Sequence, residues 1–215
     1  MDTFFGRERE LQLLDSGYRA RGGAFIPIYG RRRVGKTELI RKFLERKPAA
    51  VYVAGQRVPA RLLLKELLKV AAEALDAPLL AQLSPEGWRE ALLAIEGAWR
   101  GPSKLVLALD EFQWMVEASP ELPAVLQALW DQRWRDSGRV MLLLCGSFIG
   151  FMEREVLGRK APLFGRRTAQ MLLRPFGYRE AALFHPSYSL VDRARAYFIC
   201  GGVPLYLKAF EIGRA

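Results

Sequence analysis

The sequence predicts an α/β fold in which helices cover both faces of a parallel five-stranded sheet, giving a three-layer α/β/α core. Short apolar runs recur along the chain, and such runs are typical of strands buried on both faces. Stretches with apolar residues at three- and four-residue steps separate the runs and predict helices between them. After Pro175 only helical patterns follow. We therefore predict a core over residues 1–175 and the start of a small all-helical unit over residues 176–215.

The first elements flank a glycine-rich turn. Residues 8–21 have the spacing of an amphipathic helix, which is predicted to end at the Gly-Gly pair that follows. Residues 24–29 are apolar on both faces and predict a central strand. A helix is predicted after the turn at residues 30–37, and residues 49–53 are predicted to form the second strand.

The remaining strands and helices alternate. Further strands are predicted at the apolar segments 105–109, 140–145 and 169–173. Core helices are predicted from helical spacing at residues 60–75, 85–100, 121–135 and 149–157. Pro85 suits the first turn of its helix. Helices of the C-terminal unit are predicted at residues 178–184, at residues 190–199 and after Pro204.

Composition and charge narrow the class of protein. Of 215 residues, 51% are hydrophobic and 26% are charged, as in folded globular proteins. The formal charge of 33 − 23 = +10 predicts attraction to phosphate on a nucleotide, a nucleic acid or a membrane surface. The N-terminus lacks the order of a secretion signal, and the most apolar segment, residues 140–152, is too short to span a bilayer. We therefore expect a cytoplasmic protein with no membrane partner.

The turn after the first strand has the sequence GRRRVGKT at residues 30–37, which matches G-x-x-x-x-G-K-[ST] at every fixed position. A strand before it and a helix after it are the context that this phosphate-binding loop requires. Lys36 is expected to reach the β- and γ-phosphates of ATP, and Thr37 to bind Mg²⁺. The residues predicted to contact the nucleotide in this region are Gly30, Arg33, Val34, Gly35, Lys36, Thr37 and Glu38.

Arginines occupy three variable positions of this loop, Arg31, Arg32 and Arg33. A guanidinium group can bind phosphate, form an internal salt bridge or face water. The sequence leaves these three roles open for each arginine.

An acidic pair ends the third predicted strand, where residues 105–109 lead directly into Asp110 and Glu111. Asp110 is predicted to hold Mg²⁺ through water, and Glu111 to polarise the water that attacks the γ-phosphate. The alternative is that the two acidic residues only cap the following helix. Beside a matched phosphate loop, the pair favours ATP hydrolysis.

A serine follows the fourth predicted strand, in the sequence CGS at residues 145–147. If this strand lies between the first and third strands, the hydroxyl of Ser147 lies next to the acidic pair. It could then sense the γ-phosphate or orient the attacking water. The alternative is that Gly-Ser forms an ordinary turn between a strand and a helix.

These motifs together resemble the archaeal-type ATPase family of P-loop proteins, which is related to the AAA+ and STAND branches. The resemblance covers nearly the whole chain and rests on stretches that occur in the family's order. They are FGRE with EL (5–8, 10–11), GRRRVGKT (30–37), LDEFQ (109–113), CGS (145–147), PLFGRRT with LRPF (162–168, 173–176) and GGVPLYL (201–207).

The resemblance implies an ATP-binding core in which Phe5, Gly6, Arg7 and Pro204 approach the adenine. A proline at a helix start offers an apolar face to a base. Relatives usually continue into a winged-helix segment and often a nuclease-like domain. This chain ends within the expected helical lid, which leaves a fragment and an unusually short protein as alternatives.

Two arginines, Arg166 and Arg167, directly precede the fifth predicted strand. In the related AAA+ enzymes an arginine at this point reaches the γ-phosphate held by a neighbouring subunit. The resemblance therefore implies a homo-oligomer or a partner protein at the nucleotide site. Neither arginine has an adjacent carboxylate in the sequence, so both are expected to be available for an anion. Contact with the protein's own nucleotide or lid and a role as solvated edge charges are alternatives.

The leading functional prediction is a cytoplasmic ATPase that uses ATP binding and Mg²⁺-dependent hydrolysis as a switch or motor, with slow turnover in the absence of a partner. The predicted catalytic residues are Lys36, Glu111, Ser147, Arg166 and Arg167. One alternative is a P-loop kinase, which shares the loop but does not need the acidic pair. The other is a nucleotide-gated module that binds DNA or protein with negligible turnover.

Overall fold

The structure is a computed structural model and describes residues 4–211. A five-stranded, all-parallel sheet forms its centre, with strand order β2-β3-β4-β1-β5. The strands are β1 (Ala24–Tyr29), β2 (Ala50–Ala54), β3 (Leu105–Asp110), β4 (Val140–Gly146) and β5 (Met171–Leu172). The predicted parallel sheet with five strands is confirmed. The edge strand β5 is shorter than predicted, because it pairs with β1 only through Ile28 and Tyr29.

Eleven α-helices occur within the described residues. They are α1 (Glu8–Arg19), α2 (Lys36–Leu44), α3 (Ala60–Ala74), α4 (Trp88–Ala98), α5 (Phe112–Ala118), α6 (Leu122–Leu129), α7 (Arg135–Ser137), α8 (Ile149–Phe151), α9 (Tyr178–Ala181), α10 (Leu190–Cys200) and α11 (Pro204–Ala209). Further helical turns of other types lie at Pro78–Gln82 and Ala182–Phe184 (3₁₀) and at Trp130–Trp134 and Met152–Val156 (π). Every helix in residues 4–211 is too short or too polar to cross a bilayer.

Three helix predictions differ from the structure. No bounds are predicted for helix α5, because its seven residues complete only about two helical turns, too few for a clear helical spacing. The helix predicted at residues 121–135 is interrupted by a π-helical turn that buries both Trp130 and Trp134. Helix α4 begins at Trp88, after the extended Gly87, so Pro85 lies before its first turn.

Helices cover both faces of the sheet. On one face, Leu67 of α3, Leu92 of α4 and Leu126 of α6 belong to one continuous buried cluster with alternate residues of the strands. On the other face, Leu14 of α1 and Leu39 of α2 pack with the remaining strand residues. Strands β1, β3 and β4 are buried along their whole length. The three-layer α/β/α core is therefore confirmed, and its apolar strands follow from burial on both faces.

The strand order determines where the functional motifs meet. Strand β4 lies between β1 and β3, and all three strands run parallel. Their carboxyl ends therefore lie at one edge of the sheet, where ligands bind in open α/β folds. The phosphate loop follows β1, the acidic pair ends β3, and Ser147 follows β4.

The helices after Pro175 have a small core of their own. Phe176, Ala181, Cys200 and Leu207 form a buried cluster separate from the two large clusters on the sheet. We call residues 176–211 the C-terminal helical segment. The predicted domain boundary at residue 175 stays a prediction, and the ends of the predicted units, residues 1–3 and 212–215, lie outside the described residues.

Candidate nucleotide-binding site

The loop at residues 30–35 joins the end of β1 to the start of α2. Gly30 has φ 152°, and a Cβ added there would lie 2.2 Å from the carbonyl oxygen of Leu173, so only glycine fits. Gly35, with φ 90°, lies at the N-terminus of α2. These glycines allow the backbone to turn tightly into the helix, whose first N–H groups and dipole favour a bound anion.

Lys36 begins α2 and is almost fully buried, with 6% of its surface exposed. Its ammonium group donates hydrogen bonds of 2.9 Å to the carbonyl oxygens of Gly30 and Arg31. These two hydrogen bonds hold the ammonium group of Lys36 against the backbone of the phosphate loop. Phosphate oxygens carry negative charge, so they can replace these neutral acceptors with stronger hydrogen bonds.

The carboxylate of Asp110 is buried and accepts hydrogen bonds at both oxygens. Its Oδ2 accepts bonds from the hydroxyls of Thr37 (2.7 Å) and Tyr52 (2.8 Å). Its Oδ1 accepts a bond of 2.8 Å from the backbone N–H of Glu111. The structure thus brings together the two residues predicted to hold Mg²⁺, Thr37 and Asp110.

Sequence reasoning missed Tyr52. This residue lies in β2 and pairs with Ala108 of β3, two residues before Asp110, so both side chains lie on the same face of the sheet. Burial and the nearby Asp110 carboxylate raise the pKa of Tyr52 well above its ordinary value, so its hydroxyl stays protonated and donates. Finding it requires knowing that β2 is the neighbour of β3.

Glu111 has φ 47° and ψ 44°, a left-handed conformation between the end of β3 and the start of α5. Its side chain does not cap α5; instead its Oε2 accepts a hydrogen bond of 2.8 Å from the hydroxyl of Ser147. The amide of Gln113 donates to the same oxygen. Ser147 therefore lies next to the acidic pair, as the strand order implies, and its role as a sensor stays a prediction.

A cleft of ≈ 410 Å³ lies beside the loop and is lined by Lys36, Thr37 and Glu111 among others. Its lining comprises Arg32, Arg33, Gly35, Lys36, Thr37, Glu38, Glu111, Pro204, Leu205 and Lys208. A more apolar pocket adjoins the cleft and shares four of these residues, Gly35, Glu38, Pro204 and Lys208. The other residues of that pocket are Phe4, Phe5, Arg7, Val34, Phe176 and Phe184.

The predicted adenine-contacting residues take different places around this pocket. Phe5, Arg7 and Pro204 line it. Gly6 does not; its φ is 64°, and a Cβ added there would lie 3.2 Å from the Phe176 ring, so Gly6 allows the chain to pass close to that ring. The phosphate-binding prediction and the adenine prediction therefore converge on two adjoining cavities.

Arg7 is buried, and its guanidinium contacts groups of the protein itself. It donates hydrogen bonds to Glu10 (3.0 Å) and to the carbonyl oxygens of Val34 (3.1 Å) and Arg174 (2.7 Å). It also lies 4.1 Å from the centre of the Phe176 ring. Arg7 therefore connects the N-terminal segment, the phosphate loop and the start of the C-terminal helical segment, and these contacts shape the pocket wall.

Arg33 connects the phosphate loop to the C-terminal helical segment. Its Nη1 donates a hydrogen bond of 2.7 Å to the hydroxyl of Tyr206 in α11. This hydrogen bond to a tyrosine differs from phosphate binding, an internal salt bridge and a position facing water, which are the three roles that the sequence leaves open. Arg31 and Arg32 are exposed on the same loop.

The structure corrects one expectation about the arginine pair. Arg166 forms a bidentate ion pair with Asp131, with contacts of 2.7 to 3.0 Å, and also donates to the carbonyl oxygens of Pro162 and Phe164. Its guanidinium is therefore not available for an anion, because the fold brings it to a carboxylate that is 35 residues away in sequence. Arg167 has no carboxylate partner within residues 4–211, and neither arginine lines the two cavities.

The sequence matches a family model described as an ATPase domain predominantly from Archaea, over residues 4–210. The chain belongs to this family. An uncharacterised protein of Methanocaldococcus jannaschii is 27% identical over 209 residues, covering 97% of this chain and 44% of that protein. An uncharacterised ATP-binding protein of the same organism is 50% identical over 44 residues, covering 20% of this chain and 75% of that protein.

Solved structures share the fold of this archaeal ATPase domain. The Walker-type ATPase of Pyrococcus abyssi superposes with a TM-score of 0.75 at 20% identity, over 95% of this chain and 66% of that one. The ORC2 protein of Aeropyrum pernix, solved as ADPNP–ADP complexes, gives 0.60 at 20% identity, over 90% and 52% of the two chains. The chain spans less than half of the first curated relative and less than two thirds of these structures.

Proposed function

We propose that this domain binds ATP together with Mg²⁺ and hydrolyses it to ADP and phosphate. The observation that carries this proposal is the 2.7 Å hydrogen bond between Thr37 and Asp110, next to the buried Lys36 and at a cleft that Glu111 also lines. A phosphate loop, a metal-binding pair and an acidic residue for water are the parts that such hydrolysis needs.

The residues present fit Mg²⁺. The Thr37 hydroxyl and the Asp110 carboxylate are hard oxygen donors, which Mg²⁺ prefers, and three hydrogen bonds already hold the carboxylate in place. When bound, the ion neutralises charge on the β- and γ-phosphate oxygens. Tyr52 keeps Asp110 oriented from the side of β2.

Side chains and backbone groups of the chain bind the phosphates and the adenine and orient the attacking water. The loop backbone and Lys36 bind the phosphates, because N–H groups and the ammonium charge meet at the start of α2. Glu111 orients the attacking water and accepts its proton. Ser147, bonded to Glu111, orients that carboxylate or contacts the γ-phosphate. The apolar pocket receives the adenine, with Phe5 and Pro204 against the base.

Two contacts support a role as a switch or motor. Arg33 joins the phosphate loop to Tyr206, and Arg7 joins the same loop to the ring of Phe176. We propose that the part of the chain beginning at residue 176 is a lid that responds to the bound nucleotide through these contacts. A second copy of the chain, or another protein bound across the nucleotide site, would respond to the same movement of the lid.

Detection of ADP by a coupled NADH assay, with ATP, Mg²⁺ and no added acceptor, tests the proposal. We expect turnover that EDTA abolishes and that Glu111→Gln reduces. A P-loop kinase would stay near background under these conditions. A nucleotide-gated binding module would bind a fluorescent ATP analogue without Glu111-dependent turnover, and retention of labelled duplex at low ionic strength would then identify DNA as its partner.

A further inference from the structure

Gln113, the last residue of the LDEFQ stretch, is a buried polar residue beside the Glu111 carboxylate and has no role in the proposed hydrolysis so far. It lies in the first turn of α5, with 5% of its surface exposed. Its Nε2 donates a hydrogen bond to Oε2 of Glu111 and lies 3.4 Å from the Oγ of Ser147. Ser147 donates to the same Glu111 oxygen at 2.8 Å. Gln113, Ser147 and Glu111 therefore form a closed ring of hydrogen bonds.

The other end of the Gln113 amide is unsatisfied. Its Oε1 is buried and has no hydrogen-bond partner within residues 4–211. Burying an amide oxygen without a partner costs stability, so an apolar side chain of similar size would stabilise this position better. The amide is therefore explained by what its N–H groups do at Glu111, and not by its contribution to packing.

Neighbouring residues fix the position of this amide. Phe112 and Met115 are fully buried and anchor α5 against the sheet. A Cβ added at Gly146 would lie 3.2 Å from Oε1 of Gln113 and 2.6 Å from the sulfur of Met152. Gly146 thus leaves the space that the Gln113 amide occupies.

We propose that Gln113 is a positioning residue for hydrolysis, and that its amide fixes the orientation in which Glu111 faces the nucleotide cleft. The inference rests on the proposed function, because it concerns the same carboxylate. Glu111 lies in a left-handed turn between strand and helix, and within the described residues its side chain has hydrogen bonds only at Oε2. Ser147 and Gln113 together hold that oxygen, which leaves Oε1 for the water.

The first test is Gln113→Met, which keeps a similar volume and removes the amide. We expect a kcat lower by about 10- to 100-fold, the range for a misplaced catalytic group, with ATP affinity within about twofold of the parent. We also expect an unfolding midpoint equal to or above that of the parent, whereas a structural role for the amide would lower it. Gln12→Met, at an exposed position of α1, is the matched control and should match the parent in all three measurements.

The second test combines Gln113→Met with Glu111→Gln. If Gln113 acts through the Glu111 carboxylate, the double variant should turn over at the rate of Glu111→Gln alone, because the two effects share one pathway. Gln113→Glu provides a second variant of unchanged shape, and the like charge beside Glu111 should also lower kcat.

The outcomes separate the two proposals. Parent-level kcat in a folded Gln113→Met variant, or a further loss of the same size in the Glu111→Gln background, overturns the positioning role and leaves the ATPase proposal intact. Absence of Glu111-dependent turnover in the parent overturns both. A reduced kcat with unchanged affinity, unchanged or raised stability and no further loss in the double variant supports the positioning role.

Discussion

The hydroxyl of Thr37 donates a hydrogen bond of 2.7 Å to Oδ2 of Asp110, joining two residues that are 73 positions apart in sequence. Tyr52 donates to the same oxygen at 2.8 Å, and the N–H of Glu111 binds Oδ1. A carboxylate held at both oxygens needs little rearrangement to bind a metal ion. The proposed site for Mg²⁺ therefore combines Tyr52 of β2, Asp110 at the end of β3 and Thr37 in the first turn of α2.

Tyr52→Phe should weaken the apparent affinity for Mg²⁺ by about tenfold, the lower end of the range for residues that orient metal ligands. The ring and its packing remain, and only the bond to Asp110 is lost. Titration of hydrolysis with Mg²⁺ at saturating ATP measures the effect. Tyr178→Phe removes a hydroxyl whose one hydrogen bond within residues 4–211 goes to the backbone of Leu190, and it should leave the titration unchanged. An unaltered half-saturating concentration in Tyr52→Phe would show that the tyrosine does not orient Asp110.

Lys36→Met should weaken ATP binding by about 100-fold, because it removes a charged donor to the phosphates. Methionine retains most of the buried stem, so the fold should persist. Equilibrium binding of a fluorescent ATP analogue and a thermal unfolding curve give the two readings. Lys42→Met, on the exposed side of the same helix, should bind like the parent. ATP affinity unchanged in Lys36→Met would remove the phosphate-loop assignment.

Glu111→Gln should slow hydrolysis by about 100-fold or more while ATP binding is kept, because the amide cannot accept the proton of the attacking water. Single-turnover hydrolysis with pre-bound ATP isolates the chemical step. Glu117→Gln, an exposed change on α5, is the matched control. Hydrolysis at the parent rate in Glu111→Gln would assign this role to another residue.

Asp131→Asn should lower the free energy of unfolding at pH 7 by about 1 kcal/mol, the upper value for partly exposed ion pairs. The hydrogen bonds from Arg166 lower the pKa of Asp131 below its ordinary value of 3.8. The folded state therefore binds the proton more weakly than the unfolded state, so the pair contributes fully above pH 3.8 and loses its contribution as the pH falls through the lower pKa.

Urea unfolding of the parent and Asp131→Asn at pH 7 and at successively lower pH tests this expectation. The difference between them should be constant at neutral pH and shrink below pH 3.8. The Asp136 carboxylate is 81% exposed, so Asp136→Asn should have almost the same free energy of unfolding as the parent at pH 7 and at the lowest pH. A difference that grows on acidification would contradict the ion pair as its cause.

Arg167 is the remaining candidate for an arginine that acts on a neighbouring subunit, because Arg166 forms an ion pair with Asp131. Turnover per chain should rise with protein concentration, and Arg167→Ala should lower turnover with little change in ATP affinity. Mixing Arg167→Ala with Glu111→Gln should restore part of the activity, since each chain supplies the group that the other lacks. Arg166→Ala should instead lower stability. Turnover that is independent of concentration, with no rescue on mixing, would confine Arg167 to its own chain.

Local patterns in the sequence were sufficient for the parallel sheet, the phosphate loop and the acidic pair. Strands β1, β3 and β4 are continuous apolar runs because both of their faces are buried, so burial leaves a direct trace in composition. The loop at residues 30–37 is recognisable because its glycines, lysine and threonine act within one turn. Helix α5 is too short to leave such a trace, since its existence depends on packing of Phe112 and Met115.

Only the tertiary structure decided which side chains meet across the sheet and between helices. Tyr52 reaches Asp110 because β2 is the neighbour of β3, and Ser147 reaches Glu111 because β4 lies between β1 and β3. Asp131 and Arg166 pair because the π-helical turn after α6 lies near the chain before β5. The sequence by itself determined the strands, most of the helices and the motif at residues 30–37, which depend on neighbours along the chain. Partners of the buried polar groups depend on strand order and helix packing, which local spacing does not encode.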